Sequence, residues 1–323
     1  MNDIPAPEFV SHPRTAALIE RAQAHPPLRT AVVYPANAAS LEAALWARAH
    51  GLIEPLLVGP AARIAAVASE AHLDLAGCTI VDAPNDPRLA ALVAVELARS
   101  GTVEALMKGS LHTDELLGAV IRRGGGLRQP GKGRRLSHVF WFDVPGFPRP
   151  IMATDCVVNI TPGLITKRDI VQNAFDLAQA LGYDCPKLAV VSAVETVNPA
   201  IPTTMEAAEL RAMVERGEIT GGVVDGPFGF DIAVSPEAAR IKGMAGAVAG
   251  VADILLMPHL EAGNMIYKSF VYMAGAECAG IVLGATVPVI LTSRADSVAS
   301  RIASCALASI WCRTQAAATG NES

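Results

Sequence analysis

Apolar runs of strand length alternate with Ala-rich segments of helical spacing over the first third of the chain. Val, Ile and Leu dominate the short runs, and the segments between them repeat apolar residues three and four positions apart. The predicted strands are 30–34, 54–58, 79–81 and 105–107, and the predicted helices are 40–50, 61–71 and 88–99. This alternation predicts βαβ units and a mostly parallel sheet, so the expected fold class is α/β.

A predicted hairpin interrupts the alternation. Residues 137–142 and 150–154 have the composition of strands, and the turn-rich segment DVPGFPR joins them. The pattern then resumes, with predicted helices at 167–181 and 203–216 and predicted strands at 188–191 and 222–224. Because 323 residues exceed what one hydrophobic core usually supports, we expect two domains with the hairpin at their seam.

The segment 252–268, ADILLMPHLEAGNMIYK, predicts a strand, a loop and a helix. The apolar run 253–257 ends at Pro258, and helical spacing begins after Gly263 and Asn264. Asn264 is predicted to cap this helix, and Lys268 follows one turn later on the same face. Backbone N–H groups, a carboxamide and an ammonium group would then converge, which suits a phosphate group.

Two further strand-to-helix junctions carry polar residues. A predicted strand at 287–291 is followed by Ser293 and Arg294, before a helix that opens near Ser297. Lys108 and Ser110 follow the strand 105–107 in the same way. Polar groups at the carboxyl ends of strands are where open α/β sheets usually bind ligands. The Lys108 junction also fits a plain turn, because it lacks the glycine spacing of a P-loop.

Other polar segments leave their roles open. The basic, Gly-rich segment 122–135 fits either a solvated loop or a grip on the phosphates of a nucleotide-like ligand. Asp225 and Asp231, in the turn-rich segment DGPFGFD, could bind a metal, act as a base or cap a helix. His112 and His259 lack paired spacing, so we expect loop hydrogen bonds from them rather than metal ligation.

Composition and charge narrow the class of protein. The chain is 51% hydrophobic and 18% charged with a net charge of −5, which indicates a globular protein and argues against a nucleic-acid binder. Six cysteines without CxxC spacing favour reduced thiols over a zinc site. The start MNDIPAPEFV lacks signal-peptide features, and the nearly uncharged stretch 279–292 is too short to span a membrane. We expect a cytoplasmic protein with no bound metal and no membrane contact.

Several segments together resemble the phosphate acetyltransferase and phosphate butyryltransferase family. They occur in the family's order and cover nearly the whole chain from about residue 30. The segments are KGSLHT (108–113), TDCVVN (154–159), DGPFGFD (225–231), ADILLMPHLEAGNMIYK (252–268) and PVILTSRADS (288–297). The chain is also similar to the transferase half of proteins that fuse such a domain to an enoyl-CoA hydratase. No residues remain here for that partner, so a stand-alone enzyme is expected.

The resemblance implies reversible acyl transfer between coenzyme A and inorganic phosphate. Coenzyme A would be a substrate rather than a permanently bound cofactor, and its thiolate would attack an acyl phosphate directly in a ternary complex. The family fold is two α/β/α domains with mostly parallel sheets, similar to isocitrate and isopropylmalate dehydrogenases, with the active site in an interdomain cleft. By analogy, residues 1–141 and 281–323 form the first domain, 142–280 form an inserted second domain, and the protein is a homodimer.

The resemblance also implies roles for individual residues. Ser293 and Arg294 match a Ser-Arg pair that contacts the reacting acyl phosphate and thiol. Asn264 and Lys268 match the phosphate-side pocket, and Cys156 matches a cysteine that lines the site. The remaining residues expected to bind substrate lie in the matching motifs, and they are Lys108, Ser110, Asp225 and Gly226.

One position departs from the family pattern. Many phosphate acetyltransferases have an Asp, assigned as the base, seven residues after the Ser of the pair, and here that position is Ser300. The nearest carboxylate is Asp296, and SRADS resembles the butyryl branch more than the acetyl branch. Our hypothesis is that Asp296 accepts the thiol proton or orients Ser293. For Cys156 we favour a buried small hydrophobic residue over an acyl-cysteine intermediate, since direct transfer needs no covalent step.

Two other functions fit parts of the sequence. A metal- and NAD-dependent dehydrogenase of similar architecture would need an acidic cluster and a GxGxxG turn, and the sequence has neither. A non-catalytic sensor of coenzyme A or acyl phosphate is favoured only by Ser300. The acyl chain length stays open, because one methylene group is worth only about 1–3 kcal/mol of discrimination.

Overall fold

The chain forms two compact units, which we call the first and the second unit. The computed structural model describes residues 12–129, 133–293 and 296–320. The first unit comprises the described parts of Met1–Arg134 and Cys278–Ser323, and the second unit comprises Arg135–Glu277. The second unit begins before the predicted residue 142, because the first strand of the hairpin pairs with the second strand inside it.

The described residues form eleven helices and eleven strands. The strands are β1 (Leu28–Val33), β2 (Ile53–Gly59), β3 (Thr79–Asp82), β4 (Ala105–Lys108), β5 (Ser137–Asp143), β6 (Ile151–Thr154), β7 (Lys187–Val191), β8 (Val223–Phe228), β9 (Ile254–Leu256), β10 (Glu277–Leu283) and β11 (Val289–Ile290). The helices are α1 (Pro13–Gln23), α2 (Ala38–Ala49), α3 (Ala61–Glu70), α4 (Pro87–Arg99), α5 (Thr113–Val120), α6 (Leu164–Ala180), α7 (Pro202–Glu215), α8 (Phe230–Val234), α9 (Pro236–Ile241), α10 (Leu260–Tyr272) and α11 (Val298–Gly320).

The first unit is built on a mostly parallel sheet with the strand order β3-β2-β1-β4-β11-β10. Its strands pair in parallel except for β10, which runs antiparallel to β11. Helix α4 packs on β1 and β2, while α11 is buried along residues 299–310 and packs against α1, α2 and β11. The predicted βαβ alternation is confirmed here. Strand β10 was not predicted, because the apolar stretch 279–292 contains two short strands and the turn between them.

The second unit has a sheet with the strand order β5-β6-β9-β7-β8. Strands β5 and β6 form the predicted antiparallel hairpin, and β6, β9, β7 and β8 pair in parallel. Aromatic side chains fix α10 on this hairpin, because Phe140 stacks on Tyr267 at 4.3 Å between ring centroids. Phe142 meets Phe270 edge-on at 5.1 Å. These contacts set the position of α10 within the unit.

Two local predictions in the second unit are wrong. Helix α10 begins at Leu260 with His259 as its cap, so Asn264 lies inside the helix and does not cap it. The sequence pattern places the helix start too late, because Gly263 is typical of a loop but here lies inside the helix. The second error concerns Pro227, which lies within strand β8 and not in a turn after it.

Candidate active site

The first unit contains a small cavity at the carboxyl ends of its parallel strands. Its volume is about 80 Å³. Lys108 at the end of β4 and Ser293 after β11 both line it, so the structure brings together residues from two of the predicted junctions. The lining also includes polar residues that the sequence pattern did not indicate, among them Asn37, Ser40 and Arg301.

The β4 junction depends on a close approach between backbones. A Cβ atom at Gly109 would lie 2.3 Å from the carbonyl oxygen of Val33 and 2.8 Å from that of Tyr34. Only glycine lets the chain pass here, and the Gly109 N–H donates to the Val33 carbonyl at 3.0 Å. The end of β4, with Lys108, is therefore held firmly beside the end of β1.

Ser110 stabilises the neighbouring start of α2. Its hydroxyl accepts the Ala36 N–H at 3.0 Å and bonds to the hydroxyl of Ser40 at 3.1 Å. Asn37 caps α2 by accepting the Ser40 N–H at 2.9 Å. Among the described residues that line the cavity Ser110 does not appear, so its observed contacts are those of a residue that positions the loop before α2.

Ser293 is hydrogen-bonded to Asp296. A carboxylate oxygen of Asp296 accepts the Ser293 N–H at 2.5 Å, and the Asp296 N–H donates to the Ser293 carbonyl at 3.2 Å. These bonds fix the backbone that carries the Ser293 hydroxyl. Arg294, predicted as the partner of Ser293, lies outside the described residues.

Ser300 is absent from the described lining of this cavity. Its side chain is buried, and its hydroxyl lies 3.4 Å from the thiol of Cys278 on β10. The next residue, Arg301, lines the cavity and donates from Nη1 to the Ala39 carbonyl at 2.7 Å. The side chain of position 300 thus contacts the sheet, while that of position 301 reaches the cavity.

The second unit contains a larger pocket beside the N-terminal half of α10. Its volume is about 670 Å³. Cys156 and Asn264, which the sequence analysis assigned to one site, both line this pocket. Val157, Leu260 and Met265 supply apolar wall that the sequence analysis did not identify. Lys268 is exposed on α10 one helical turn after Asn264, and it is absent from the described lining of the pocket.

Close packing of α10 on the chain after β6 forms one wall of this pocket. A Cβ atom at Gly263 would lie 2.5 Å from the Asp155 carbonyl oxygen and 2.8 Å from Cα of Cys156. The Asp155 carboxylate accepts N–H groups from the three residues that follow Cys156, at 2.8–3.1 Å. Burial raises the pKa of Asp155, while these hydrogen bonds act in the opposite direction.

Cys156 is fully buried in that wall. Burial, and to a smaller extent the adjacent Asp155, raise the pKa of its thiol well above the ordinary value. A thiol in this environment stays protonated near neutral pH, whereas the thiolate is the nucleophilic form. The geometry therefore favours a packing role for Cys156 over an acyl-cysteine intermediate.

Asp225 and Gly226 lie within β8 and not at its end. Asp225 forms an ion pair with Arg211 at 3.3 Å and accepts the Gly226 N–H at 2.8 Å. Neither residue belongs to the lining of the 670 Å³ pocket as far as the structure describes it. Asp231 lies in the first turn of α8, where its hydrogen bond with Lys242 lowers the pKa of its carboxyl group.

The remaining sequence candidates have local structural contacts. His112 and His259 are the N-cap residues of α5 and α10, as expected of residues with loop hydrogen bonds. In the basic segment 122–135, Arg128 donates to the Ile121 carbonyl at 2.8 Å, and residues 130–132 lie outside the described chain.

Within residues 12–129, 133–293 and 296–320, no group of three or more His, Cys, Asp and Glu side chains is arranged to hold a metal ion. Over the same residues no helix is both long and apolar enough to cross a bilayer.

The fold and the two pockets define a class of protein before any comparison. Parallel strands end in corners that carry cationic and hydroxyl groups in the first unit, and a strand-to-helix corner lines an apolar pocket in the second unit. This is how α/β enzymes bind ligands at the carboxyl ends of strands. The structure is thus that of an α/β enzyme with separate places for an anionic group and an apolar group.

Comparisons with known proteins identify the family. The family model described as "Phosphate acetyl/butaryl transferase" matches residues 88–309. A phosphate acetyltransferase of Rhizobium meliloti is 52% identical over 93% of this chain and 94% of its own length. A phosphate butyryltransferase of Clostridium acetobutylicum is 43% identical over 84% of this chain and 88% of its own length.

A solved structure agrees with these relatives. The crystal structure of a branched-chain phosphotransacylase from Enterococcus faecalis V583 matches with a TM-score of 0.76 and 30% identity, over 88% of this chain and 99% of that chain. The chain therefore belongs to the phosphate acetyl/butyryl transferase family, and it is an acyltransferase. The α/β fold class predicted from the sequence is confirmed, and the dehydrogenase and sensor alternatives are not favoured.

Proposed function

We propose that the chain reversibly transfers a short-chain acyl group between coenzyme A and inorganic phosphate, with acyl phosphate as the product. One observation carries this proposal beyond family membership. Lys108 and Ser293, from separate strand-to-helix corners, line one cavity in the first unit. A cation and a hydroxyl group beside each other suit the charge that this reaction develops. Coenzyme A acts as a substrate and not as a resident cofactor.

The chemistry requires fixed cationic donors. In the direct reaction the thiolate of coenzyme A attacks the acyl carbon, the C–O bond to phosphate breaks, and phosphate leaves with the electron pair. Negative charge builds first on the carbonyl oxygen and then on the departing phosphate, so preorganised donors lower the barrier. We assign Ser293 and Arg294 to the reacting groups, and Lys108 to a phosphoryl oxygen.

The pocket of the second unit suits the carbon portion of the substrate. Val157, Leu260 and Met265 provide apolar wall, and Asn264 provides a polar group in the same pocket. We propose that the acyl chain lies against this wall and that Asn264 and Lys268 bind its polar end. Cys156 contributes surface to the pocket. Asp225 and Gly226 remain predicted substrate contacts on β8, which supplies no residue to the described lining of this pocket.

Variants of Asp296 test whether this residue accepts the proton of the coenzyme A thiol or orients Ser293. Its hydrogen bond to the Ser293 N–H supports a role in orienting Ser293. Asp296→Asn keeps an acceptor oxygen and removes the charge, whereas Asp296→Ala removes both. If orientation is the role, the Asn variant retains turnover within about fivefold and the Ala variant does not. Equal losses of about 10²–10⁴ in both, with a changed pH profile of kcat, would instead identify Asp296 as the base.

The activity itself is tested with a series of thioesters. Acetyl-CoA, propionyl-CoA and butyryl-CoA are each offered with phosphate, and release of free thiol is followed with and without EDTA. We expect phosphate-dependent release with at least one thioester and no effect of EDTA. No release with any of them would refute the proposal, and loss of activity in EDTA would point to a metal-dependent reaction.

We also propose that the protein is a cytoplasmic homodimer. The family resemblance supports both statements, and Tyr272 and Met273 at the end of α10 expose large apolar side chains, at 65% and 86%. Light scattering on the purified protein should give twice the chain mass of 33.6 kDa. A single-chain mass across the micromolar range would refute the dimer.

A further inference from the structure

Arg301 is a buried cation in a cavity where the sequence pattern gave no reason to expect one. It lies on α11, only 9% of it is exposed, and it lines the first-unit cavity together with Lys108 and Ser293. Its Nη1 donates to the carbonyl of Ala39 in the first turn of α2. This bond fixes the guanidinium group beside the start of that helix.

The charged side chains in the described lining of the cavity are all cationic. Of the described residues that line it, Lys108 and Arg301 are cationic and none is acidic. The N-terminal turn of α2 also lines it, and the dipole of a helix favours negative charge at that end. Two cationic side chains and a helix N-terminus in one lining give the cavity a positive potential, which favours an anionic ligand.

The cavity volume limits the size of that ligand. At about 80 Å³ it is far below the roughly 300–1,000 Å³ of pockets that enclose drug-sized ligands. It has room for one tetrahedral anionic group rather than for an adenosine. A guanidinium group suits such an anion, because its planar N–H donors can form two parallel bonds to phosphate oxygens.

Helix geometry explains why residue 301 and not residue 300 lines the cavity. Successive residues of an α-helix point about 100° apart, since there are 3.6 residues per turn. Ser300 contacts Cys278 on β10, which turns Arg301 toward the cavity. The charged residue that this part of α11 presents to the cavity is therefore Arg301.

We propose that Arg301, together with Lys108, binds one phosphoryl group of a substrate in the first-unit cavity. The identity of that substrate rests on the proposed function, but the anion site does not. The phosphoryl group can belong to inorganic phosphate and acyl phosphate, or to coenzyme A. These sources share one chemistry, and kinetics separates them.

The test uses two variants of Arg301 and one control from the same helix. Arg301→Met removes the cation, and Arg301→Lys keeps the charge without the planar fork. The control is Arg313→Met, because Arg313 is also a partly buried arginine of α11 but pairs with Glu104 at 2.7 Å. We expect Arg301→Met to raise one KM about 10–100-fold, Arg301→Lys to raise it less, and Arg313→Met to leave both KM values unchanged.

The KM that changes identifies the source of the phosphoryl group. A raised KM for phosphate with an unchanged KM for acyl-CoA assigns the cavity to inorganic phosphate and acyl phosphate. A raised KM for acyl-CoA that disappears when the 3′-dephospho thioester is used assigns it to coenzyme A. Unchanged KM values for both substrates in Arg301→Met would overturn the proposal.

A binding measurement separates this proposal from the proposed function. Inorganic phosphate should raise the thermal midpoint of the wild type in a concentration-dependent way, and Arg301→Met should lose that shift. An enzyme without transferase activity that still shows Arg301-dependent protection would refute the proposed function alone. An active enzyme whose protection is identical in Arg301→Met would refute the anion site alone. If Arg301→Met does not fold, Arg301→Lys and Lys108→Met decide by the same two readouts.

Discussion

The cavity of the first unit and the pocket of the second differ in both size and chemistry. The first has about 80 Å³ and includes Lys108 and Arg301 in its lining, and the second has about 670 Å³ and is lined largely by aliphatic and sulfur-containing side chains. A charged group is recognised by a few donors at short range, so a small cavity is sufficient. A carbon chain is recognised by excluded water and shape, which requires volume. The first unit therefore has a cavity that suits a charged group, and the second unit has a pocket that suits an apolar group.

The two sites are also built differently. In the first unit, backbones approach each other closely at Gly109, and Asp296 accepts a hydrogen bond from the Ser293 N–H. In the second unit, a whole helix approaches the chain after β6 because Gly263 has no side chain. Changes in the first site should therefore affect chemistry, and changes in the second should affect packing and selectivity.

The largest expected effect is on kcat and comes from a change in the first unit. Arg294→Gln should lower kcat by about 10²–10³, because one fixed donor to the developing negative charge is lost. Initial rates at saturating substrates measure it. The control is Arg88→Gln, since Arg88 is an exposed arginine of the same unit in a 3.7 Å ion pair and should leave kcat unchanged. Equal activity of both variants would remove Arg294 from the reaction.

The next largest effect is on stability and comes from the close packing of α10 in the second unit. Gly263→Ala should destabilise the protein by about 1–3 kcal/mol, because the new methyl group overlaps the backbone at Asp155 and Cys156. Gly118→Ala is the matched control, since Gly118 is a helical glycine and nothing lies within 4 Å of the point that its Cβ atom would occupy. That variant should gain about 0.5–1 kcal/mol. Urea unfolding measures both, and an undiminished stability of Gly263→Ala would contradict the close packing.

A smaller effect concerns chain-length selection. Val157→Phe narrows the 670 Å³ pocket, so kcat/KM for butyryl-CoA should fall about tenfold relative to acetyl-CoA. Competition between the two thioesters at equal concentration gives the ratio directly. Val197→Phe is the control, since Val197 is 52% exposed. An unchanged ratio in Val157→Phe would separate the pocket from the acyl chain.

The smallest effect is expected at Cys156. Burial and Asp155 raise the pKa of its thiol, so the thiol stays protonated as pH rises through the neutral range and adds no inflection there to the pH profile of kcat. Cys156→Ala should retain kcat within a few-fold and the same pH profile. Cys305→Ala is the comparison, because burial raises the pKa of that thiol to about 12 in α11 of the other unit. A loss above a thousandfold at Cys156, with a thioester adduct detected by mass spectrometry, would establish covalent catalysis.

The sequence predicted the elements better than the details of the site. The strand-to-helix junctions at Lys108 and Ser293 were predictable, because each apolar run is followed directly by polar residues and a helical pattern. The start of α10 was not, since Gly263 serves a close contact that only the folded chain creates. The identity of the family depended on motif order, which local chemistry does not supply.

Two features of the site depend on tertiary packing. Arg301 reaches the cavity only because Ser300 is turned toward β10, and β10 itself was not predicted. The apolar wall at Val157 and Met265 combines residues far apart in sequence, so no local pattern reveals the pocket volume. Such features follow from how elements pack and not from their individual periodicity.

The discontinuity of the first unit has a consequence for the order in which the chain is synthesised. Lys108 emerges before the second unit, whereas Ser293 and Arg301 emerge after it. A ribosome-bound chain can therefore complete the second unit while Thr292, Ser293 and Arg301 are still missing from the lining of the first-unit cavity. If the cavity binds phosphate as proposed, that affinity should arise only at the end of translation, when β11 pairs with β4 and α11 packs on the first unit.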